Sequence, residues 1–562
     1  MSTLACRPLP WALSSIVLLA LGCTPDAPET GDGSGTEASS GDTGNTGETG
    51  ETTAVADDTG TTTGDAADVP ARAVRISLVE TNSGVAVPVG RDGEWVDGSG
   101  RNAPIPRLRD TLFRVRVDVD DAAWVPRELE ARISLHQLDG TVDVVSGVAM
   151  ITADSAQAED ALDSTFMLVV PAEMMQPFVQ FEVELFEAAP TGWEGLPEPD
   201  PAAPRLPADG PNFVGVEDGE LVMRVMLVPV QYESAACTAT FDTSPEVIAA
   251  YEEAMYQQNP VERVELEVHE PYVVDDLNLA DANDFFTLLN RIQQLRAGDQ
   301  PDPNVYYYGI FDNCAQCIGF GGLPGCVLGV AAGLPDDSMG SAGERVAIGA
   351  IELDAPDGSG LLDIGATTFV HEVGHTQGRQ HVACPGVQAG GPDPTYPHPE
   401  GQIGAWGWGT RDGQIRVSEG HTDYMSYCSP VWASDWQWEA TFQRIRTLSS
   451  WDASGMGAVD QQAVLVGSID PVSGEATWWT DRGWVTRAAA DHVLRYVGED
   501  GAVEEVPVQV SPWSEGPRMT VRAPLTEAFE RAKAVELVSP GRTYRAERGA
   551  VTVYHRADRL TQ

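Results

Sequence analysis

At 562 residues the chain is too long for a single hydrophobic core, and its length alone predicts about two to four domains. Its 34 basic residues face 85 acidic ones, a net charge of −51, so nucleic acid and anionic lipid are both excluded as partners by charge repulsion. The same field disfavours acidic substrates.

The N-terminus, MSTLACRPLPWALSSIVLLALGC, sets one arginine ahead of an apolar run that suits a signal peptide and is short for a membrane span. Residues 1–23 are therefore expected to direct export. The run ends in LLALGC, which resembles the lipobox of bacterial lipoproteins; the resemblance implies that Cys23 is lipidated and becomes the mature N-terminus. Ala20 and Leu21 depart from the family's more frequent Leu followed by a small residue, and plain secretion with a nearby cut is the alternative. Residues 24–70 contain no lysine, arginine or aromatic side chain. Such a Gly/Thr/Ser/acid segment cannot bury enough apolar surface to order itself and should act as an extended tether. Behind an acylated cysteine it would hold a folded body off the outer membrane or cell surface.

Residues 71–210 switch to alternating runs such as VRISLVET, LFRVRVDVD and VQFEVELFEA, separated by Pro, Gly and Asp. This is the period of an antiparallel β-sandwich. It could be a prodomain, a substrate-binding module or a spacer, and nothing in it carries chemistry. Residues 211–457 alternate strands and helices. ELVMRVMLVPVQY, VERVELEVHE, NVYYYGIFD, GCVLGVAA and RVAIGAIEL read as strands. SPEVIAAYEEAMYQQN, with Ser244 as N-cap and Pro245 at N1, and DANDFFTLLNRIQQLRAG read as helices. A small mixed sheet backed by two helices, leading into a third, is the expected architecture. The stretch SDWQWEATFQRIRTLSSW closes it as an amphipathic helix. Residues 458–562 return to alternation and read as a second β-rich module without a constellation of its own. The fold class is thus multidomain α+β, a central α/β domain flanked by β-sandwiches.

The chemistry concentrates in TTFVHEVGHTQGRQH. His371 and His375, spaced i and i+4 on a helix, present both imidazoles to one ion, while Glu372 sits one position around, within reach of a bound water. Gly378 can adopt positive φ and turn the chain so that His381 approaches from outside the helix. Three neutral nitrogens with water in the fourth position describe an open zinc site. Requiring the glycine and third histidine lowers the accidental rate by about three orders of magnitude.

The string HEVGHTQGRQH resembles the elongated zinc motif of the metzincin clan of metalloproteases. The resemblance, which covers roughly 220–455, implies His371, His375 and His381 as zinc ligands, Glu372 as catalytic acid/base and Gly378 as the motif turn. HTDYMSYCSP similarly matches the clan's Met-turn, with Met425 as an apolar floor beneath the metal. Tyr427 matches a tyrosine that some members use as an extra ligand or oxyanion donor; a packed aromatic beside Cys428 is the other reading. Val382 matches none of the clan's best-known choices after the third histidine, which leaves the subfamily open. HEVGH is also similar to large secreted bacterial metalloproteases that cut mucin-type glycoproteins, so protein or glycoprotein substrates outside the cell are expected.

Once Cys6 leaves with the signal and Cys23 is lipidated, Cys237, Cys314, Cys317, Cys326, Cys384 and Cys428 remain, an even number that suits three disulfides in an oxidising compartment. Cys384 follows the third ligand and Cys428 the Met-turn, and a bridge between them is the preferred pair. The other four allow three pairings, and Cys314-x-x-Cys317 could alternatively be a redox pair or a structural zinc site. DAPDGSG at 354–360 has carboxylates spaced for calcium without the full oxygen set, so a turn is preferred. His398 and His421 could line a cleft, and Trp406 and Trp408 could wall a subsite, although surface and core roles respectively are the simpler readings. The expected activity is that of a tethered or secreted zinc endopeptidase using a zinc-activated water with Glu372 as general base. The alternatives are a non-catalytic binding or adhesion protein that retains a protease-like domain, and a surface scaffold whose zinc is structural. A structural zinc should show a fourth protein ligand.

Overall fold

The run VMRVMLVPVQYE alternates too little for a half-solvated strand and reads as one covered on both faces. In a computed structural model it is Val222–Glu233, the strand around which a seven-stranded mixed sheet is laid. The structure describes residues 68–189, 191–234, 237–312, 314, 318, 327–351, 360–387, 390–454 and 461–555. Arg263–Val268, Tyr272–Val274 and Val305–Asp312 run parallel to Val222–Glu233; Val346–Ile351 runs parallel to Val305–Asp312 and is buried along its whole length. Gly329–Ala331 pairs antiparallel with Val346–Ile351 and forms the edge of the sheet.

Parallel neighbours need crossovers, and helices supply them. Helix α1, Pro245–Gln258, follows the central strand, and α2, Ala282–Asp299, precedes Val305–Asp312. The Asp281 carboxylate caps α2 by accepting from the N–H groups of Asn283 and Asp284. Ser244 occupies the N-cap position of α1 as expected but makes no side-chain capping bond; its hydroxyl is held by Asp242 instead. Helix α3, Gly360–Thr376, lies on Val346–Ile351, with Phe369 against Tyr308 and Tyr251 at ring distances of 4.8 and 5.6 Å. Helix α4, Asp435–Ser454, buries Trp438, Phe442, Ile445, Leu448 and Trp451, the apolar stripe of an amphipathic helix. The expected mixed sheet with two crossover helices and a motif helix is therefore observed.

Two five-stranded antiparallel sheets precede this sheet, and two four-stranded ones follow it, so the described chain is mostly β. In Arg127–His136 the residues Leu129, Ala131, Ile133 and Leu135 all point inward at 0% exposure, as period-two patterning requires. Residues 1–23, including Cys23, and nearly all of the 24–70 tether lie outside the described residues, as do Cys317, Cys326 and residues 354–359 of the calcium-like DAPDGSG segment.

The flanking sandwiches do not hang from the central sheet by linkers. Arg109 of the first sandwich is fully buried; its Nε donates to Ser83 O at 3.0 Å and its Nη1 to Tyr256 O, Asn259 O and Val261 O at 2.8–2.9 Å. Trp432 and Trp438 donate back to Gly84 O and Pro104 O. On the other side Arg522 pairs with Glu344 at 2.6 Å with both side chains at most 2% exposed. Removing one partner from such an interior leaves desolvated groups unmatched. Arg109→Met is expected to lower unfolding free energy by about 3 kcal/mol or more in urea titration. Limited proteolysis of the wild type should release no stable fragment beginning near residue 211.

Candidate metal centre

The α3 sequence places His371, Glu372 and His375 on a helix otherwise filled with apolar residues, and all three are buried, at 8%, 4% and 1% exposure. The helix ends at Thr376, and Gly378 follows with φ +83°, where a side chain would also press on Pro335 O and Arg444. This turn returns His381 to the same point. One ligand atom from each of His371, His375 and His381 lies within 4.8 Å of the others.

Each imidazole is oriented by the backbone. Nδ1 of His371, His375 and His381 faces Tyr424 O at 2.8 Å, Arg379 O at 2.8 Å and Gly390 O at 2.5 Å respectively. A carbonyl can only accept, so each Nδ1 carries the proton and each Nε2 is left with a lone pair. His375 Nε2 and His381 Nε2 then face each other at 3.0 Å, two acceptors with no proton between them. That contact is repulsive until a cation stands among them, and two nitrogens each bonded at about 2.0–2.1 Å to one tetrahedral ion would be separated by a similar distance. Burial pushes His371 down to about 3 and holds His375 well below the usual imidazole range. The three rings are thus desolvated, and their backbone partners turn the Nε2 lone pairs toward one point, as a metal ion requires.

Glu372 points at the same place from the side. Its Oε2 is buried without a hydrogen-bond partner, and burial first, then the neighbouring Glu515 charge, raises its carboxyl well above the carboxylate range. The edge strand leaves room for it only because residue 329 is glycine: a β-carbon there would collide with the Glu372 side chain. His371 and Glu372 open onto a cleft of about 700 Å³ between α1, the edge strand and the 412–432 loop.

Several residues named around the motif lie close to it. Met425 is fully buried and its Sδ lies below α3, where a β-carbon on Gly374 would come within 2.5 Å of it. Val382 N donates to Met425 O at 2.9 Å, and the Cys384–Cys428 bridge closes the same two segments, with Cα atoms 6.2 Å apart. Cys237 pairs with Cys314, one of the three pairings left open and one that excludes a Cys314-x-x-Cys317 thiol pair. Disulfides point to an oxidising compartment, outside the cell or in a periplasm. Among the described residues no helix is long and apolar enough to cross a membrane.

Tyr427 is at the centre, not merely packed beside Cys428. Its hydroxyl touches His381 Nε2 and donates to Glu515 Oε1 at 2.7 Å. Burial, then Glu515, holds the phenol well above its ordinary value, so it is a neutral donor. His421 lines the cleft, whereas His398 turns away to pair with Asp435 at 2.5 Å. Trp406 and Trp408 pack with Ala86 and Leu112 as core.

Sequence reasoning missed Asp423 and Glu515. Asp423 accepts from Met425 N at 2.8 Å and Ser434 N at 3.1 Å, fixing the turn that orients His371; burial raises it to about 6. Its proximity to Met425 in HTDYMSYC was the available signal. Glu515 belongs to the C-terminal module, read as carrying no constellation, and its Oε1 lies 3.1 Å from His381 Nε2. No local pattern announces it.

No family model matches the chain. No curated protein matches it either. Among solved structures it is similar to a calcium-binding mutant of Bacteroides uniformis beta-glucuronidase 2, at 9% identity and a TM-score of 0.12, over 42% of this chain and 23% of that one. The chain therefore spans about a quarter of that protein, and similarity at that level does not define a common fold.

Two outcomes follow from this geometry. Gly374→Ala should gain about 1 kcal/mol of helix propensity yet lose more to overpacking against Met425 and Tyr424. Its metal affinity, measured by chelator competition, should fall as the Tyr424 carbonyl shifts from His371. The Asp435 hydrogen bond raises His398 above its ordinary value, so the pair's stabilisation is full below about pH 6.5 and is lost as pH rises through the folded-state value. The wild type should exceed His398→Gln by about 1–2 kcal/mol at pH 5.5 in urea titration, with the gap closing by pH 9.

Proposed function

We propose that this chain is a metzincin-like zinc endopeptidase, exported and held at the outer membrane or cell surface through Cys23, that cleaves proteins or glycoproteins outside the cell. The observation that carries the reading is the conjunction of three converging Nε2 lone pairs with a buried, partnerless Glu372 Oε2 at the floor of a cleft. A zinc ion held by His371, His375 and His381 would supply Lewis-acid polarisation of the scissile carbonyl and acidify water.

The protein's own groups account for the rest. Glu372 takes a proton from the attacking water as its oxygen bonds to the carbonyl carbon, then delivers that proton to the amine nitrogen as the C–N bond breaks. Burial and the neighbouring Glu515 raise the Glu372 carboxyl, which strengthens it as the group that takes the proton from water. The Tyr427 hydroxyl, once released from Glu515, can donate to the oxygen on which negative charge develops. The edge strand Gly329–Ala331 beside Glu372 offers an extended substrate a partner for main-chain pairing.

A second reading, a scaffold with structural zinc, is favoured by Glu515 at 3.1 Å from His381 Nε2, a position suited to a fourth protein ligand. Against it stand the cleft and Glu372, which a closed structural site does not use.

The test is cleavage of a proteome-derived peptide library by folded, metal-loaded protein. Glu372→Gln should lower kcat/KM by about 10²–10⁴-fold while metal content stays at that of the wild type. If neither the wild type nor Glu515→Gln cuts any peptide, the endopeptidase reading is lost.

A further inference from the structure

Glu515 is a second carboxylate in the cluster, and it arrives from a different module. It is 4% exposed, its Oε1 sits 3.1 Å from His381 Nε2, and it accepts the Tyr427 hydroxyl at 2.7 Å. Among the described residues no lysine or arginine pairs with it. Glu515 therefore abuts one of the three imidazoles and acts on the Glu372 carboxyl, with no cationic side chain to balance the two acids, an arrangement that is costly in a desolvated interior unless a metal ion supplies the charge. The separation from His381 Nε2 is close to that between His375 Nε2 and His381 Nε2, 3.0 Å, which is the spacing of donors that share one ion.

The approach is built rather than incidental. Glu515 lies in the turn between strands Gln509–Pro512 and Met519–Pro524. Trp513 anchors that turn, 4% exposed, with its ring 5.7 Å from that of Phe286 and its Nε1 donating to Thr520 Oγ1 at 2.9 Å. Ser514 occupies both outward backbone groups of Ala331 on the edge strand. Its Oγ accepts from Ala331 N at 2.8 Å, and its own N donates to Ala331 O at 3.2 Å. Those are the groups an added peptide strand would use.

We infer that Glu515 is a fourth protein ligand of the metal and that the 513–518 turn is an internal plug, which covers the edge strand at Ala331 and fills the fourth ligand position in the resting state. The inference rests on the metal assignment above and is independent of peptide cleavage. A substrate or activator gains access by displacing the turn, which frees the fourth position, the Tyr427 hydroxyl and the Ala331 pairing groups together.

The test uses the full chain loaded with Co²⁺ or Zn²⁺, as wild type and as Glu515→Gln, which keeps the side chain's size but removes the anionic ligand; circular dichroism checks folding. The cobalt spectrum of the wild type should not respond to azide, that of Glu515→Gln should, and zinc affinity by chelator competition should fall by about 100-fold or more in the variant. Tyr427→Phe, which leaves the carboxylate in place, should keep the azide-insensitive spectrum. A wild-type spectrum that already responds to azide, or equal zinc affinity in the two proteins, overturns the inference. So does a wild type that binds no metal. An azide-sensitive Glu515→Gln that cuts no peptide leaves the ligand assignment standing and removes the endopeptidase reading alone.

Discussion

Three imidazoles, each committed through Nδ1–H to a backbone carbonyl, present three lone pairs to one desolvated point. Much of the central domain's local structure follows from that constraint. Tyr424 O must be held beneath α3, so the chain turns at Met425 and Asp423 pins the turn. Arg379 O must face His375, so the helix stops and Gly378 takes a left-handed conformation. Gly390 O must reach His381, and the Cys384–Cys428 bridge fastens that segment to the Met425 turn. Repulsion among unprotected nitrogens is tolerable because the surrounding backbone leaves them nowhere else to point.

Packing around this point explains why neighbouring positions are glycine. Gly374 admits the Met425 sulfur beneath the helix, and Gly329 admits the Glu372 carboxylate beside the edge strand. Dense interiors transmit such constraints, so the two positions act on the histidines without touching a metal. The flanking sandwiches serve the same rigidity. Arg109 ties the first to the C-terminal end of α1, and the Arg522–Glu344 pair ties the last to the central sheet.

The sequence was most readable where chemistry and local periodicity coincide. The motif histidines, Glu372, Gly378, Met425 and the Cys384–Cys428 pair all lie within a short span, where helix geometry and one turn determine who meets whom. Strand alternation likewise disclosed the sandwiches, since Leu129 to Leu135 can bury only one face. Long-range docking was not readable. Glu515 is 88 residues from Tyr427, in a turn whose composition resembles any solvated loop, and only the fitting of Trp513 against Phe286 brings it inward. Ser244 shows the smaller version of that limit: the N-cap position was legible, but the hydroxyl's choice of Asp242 over the helix was not.

Glu515 also imposes an order in time. A chain made from its N-terminus has synthesised all three histidines, Glu372 and Tyr427 before Glu515 exists, and the strand pair that carries it can fold only later still. Until then the three imidazoles and Glu372 stand without the carboxylate that reaches His381. The Cys384–Cys428 bridge bears on the same interval, since it forms only where thiols are oxidised and stiffens the third-histidine segment there. Maturation of the cluster thus has two late requirements, a disulfide that fastens the third-histidine segment and a hairpin that brings the second carboxylate to it.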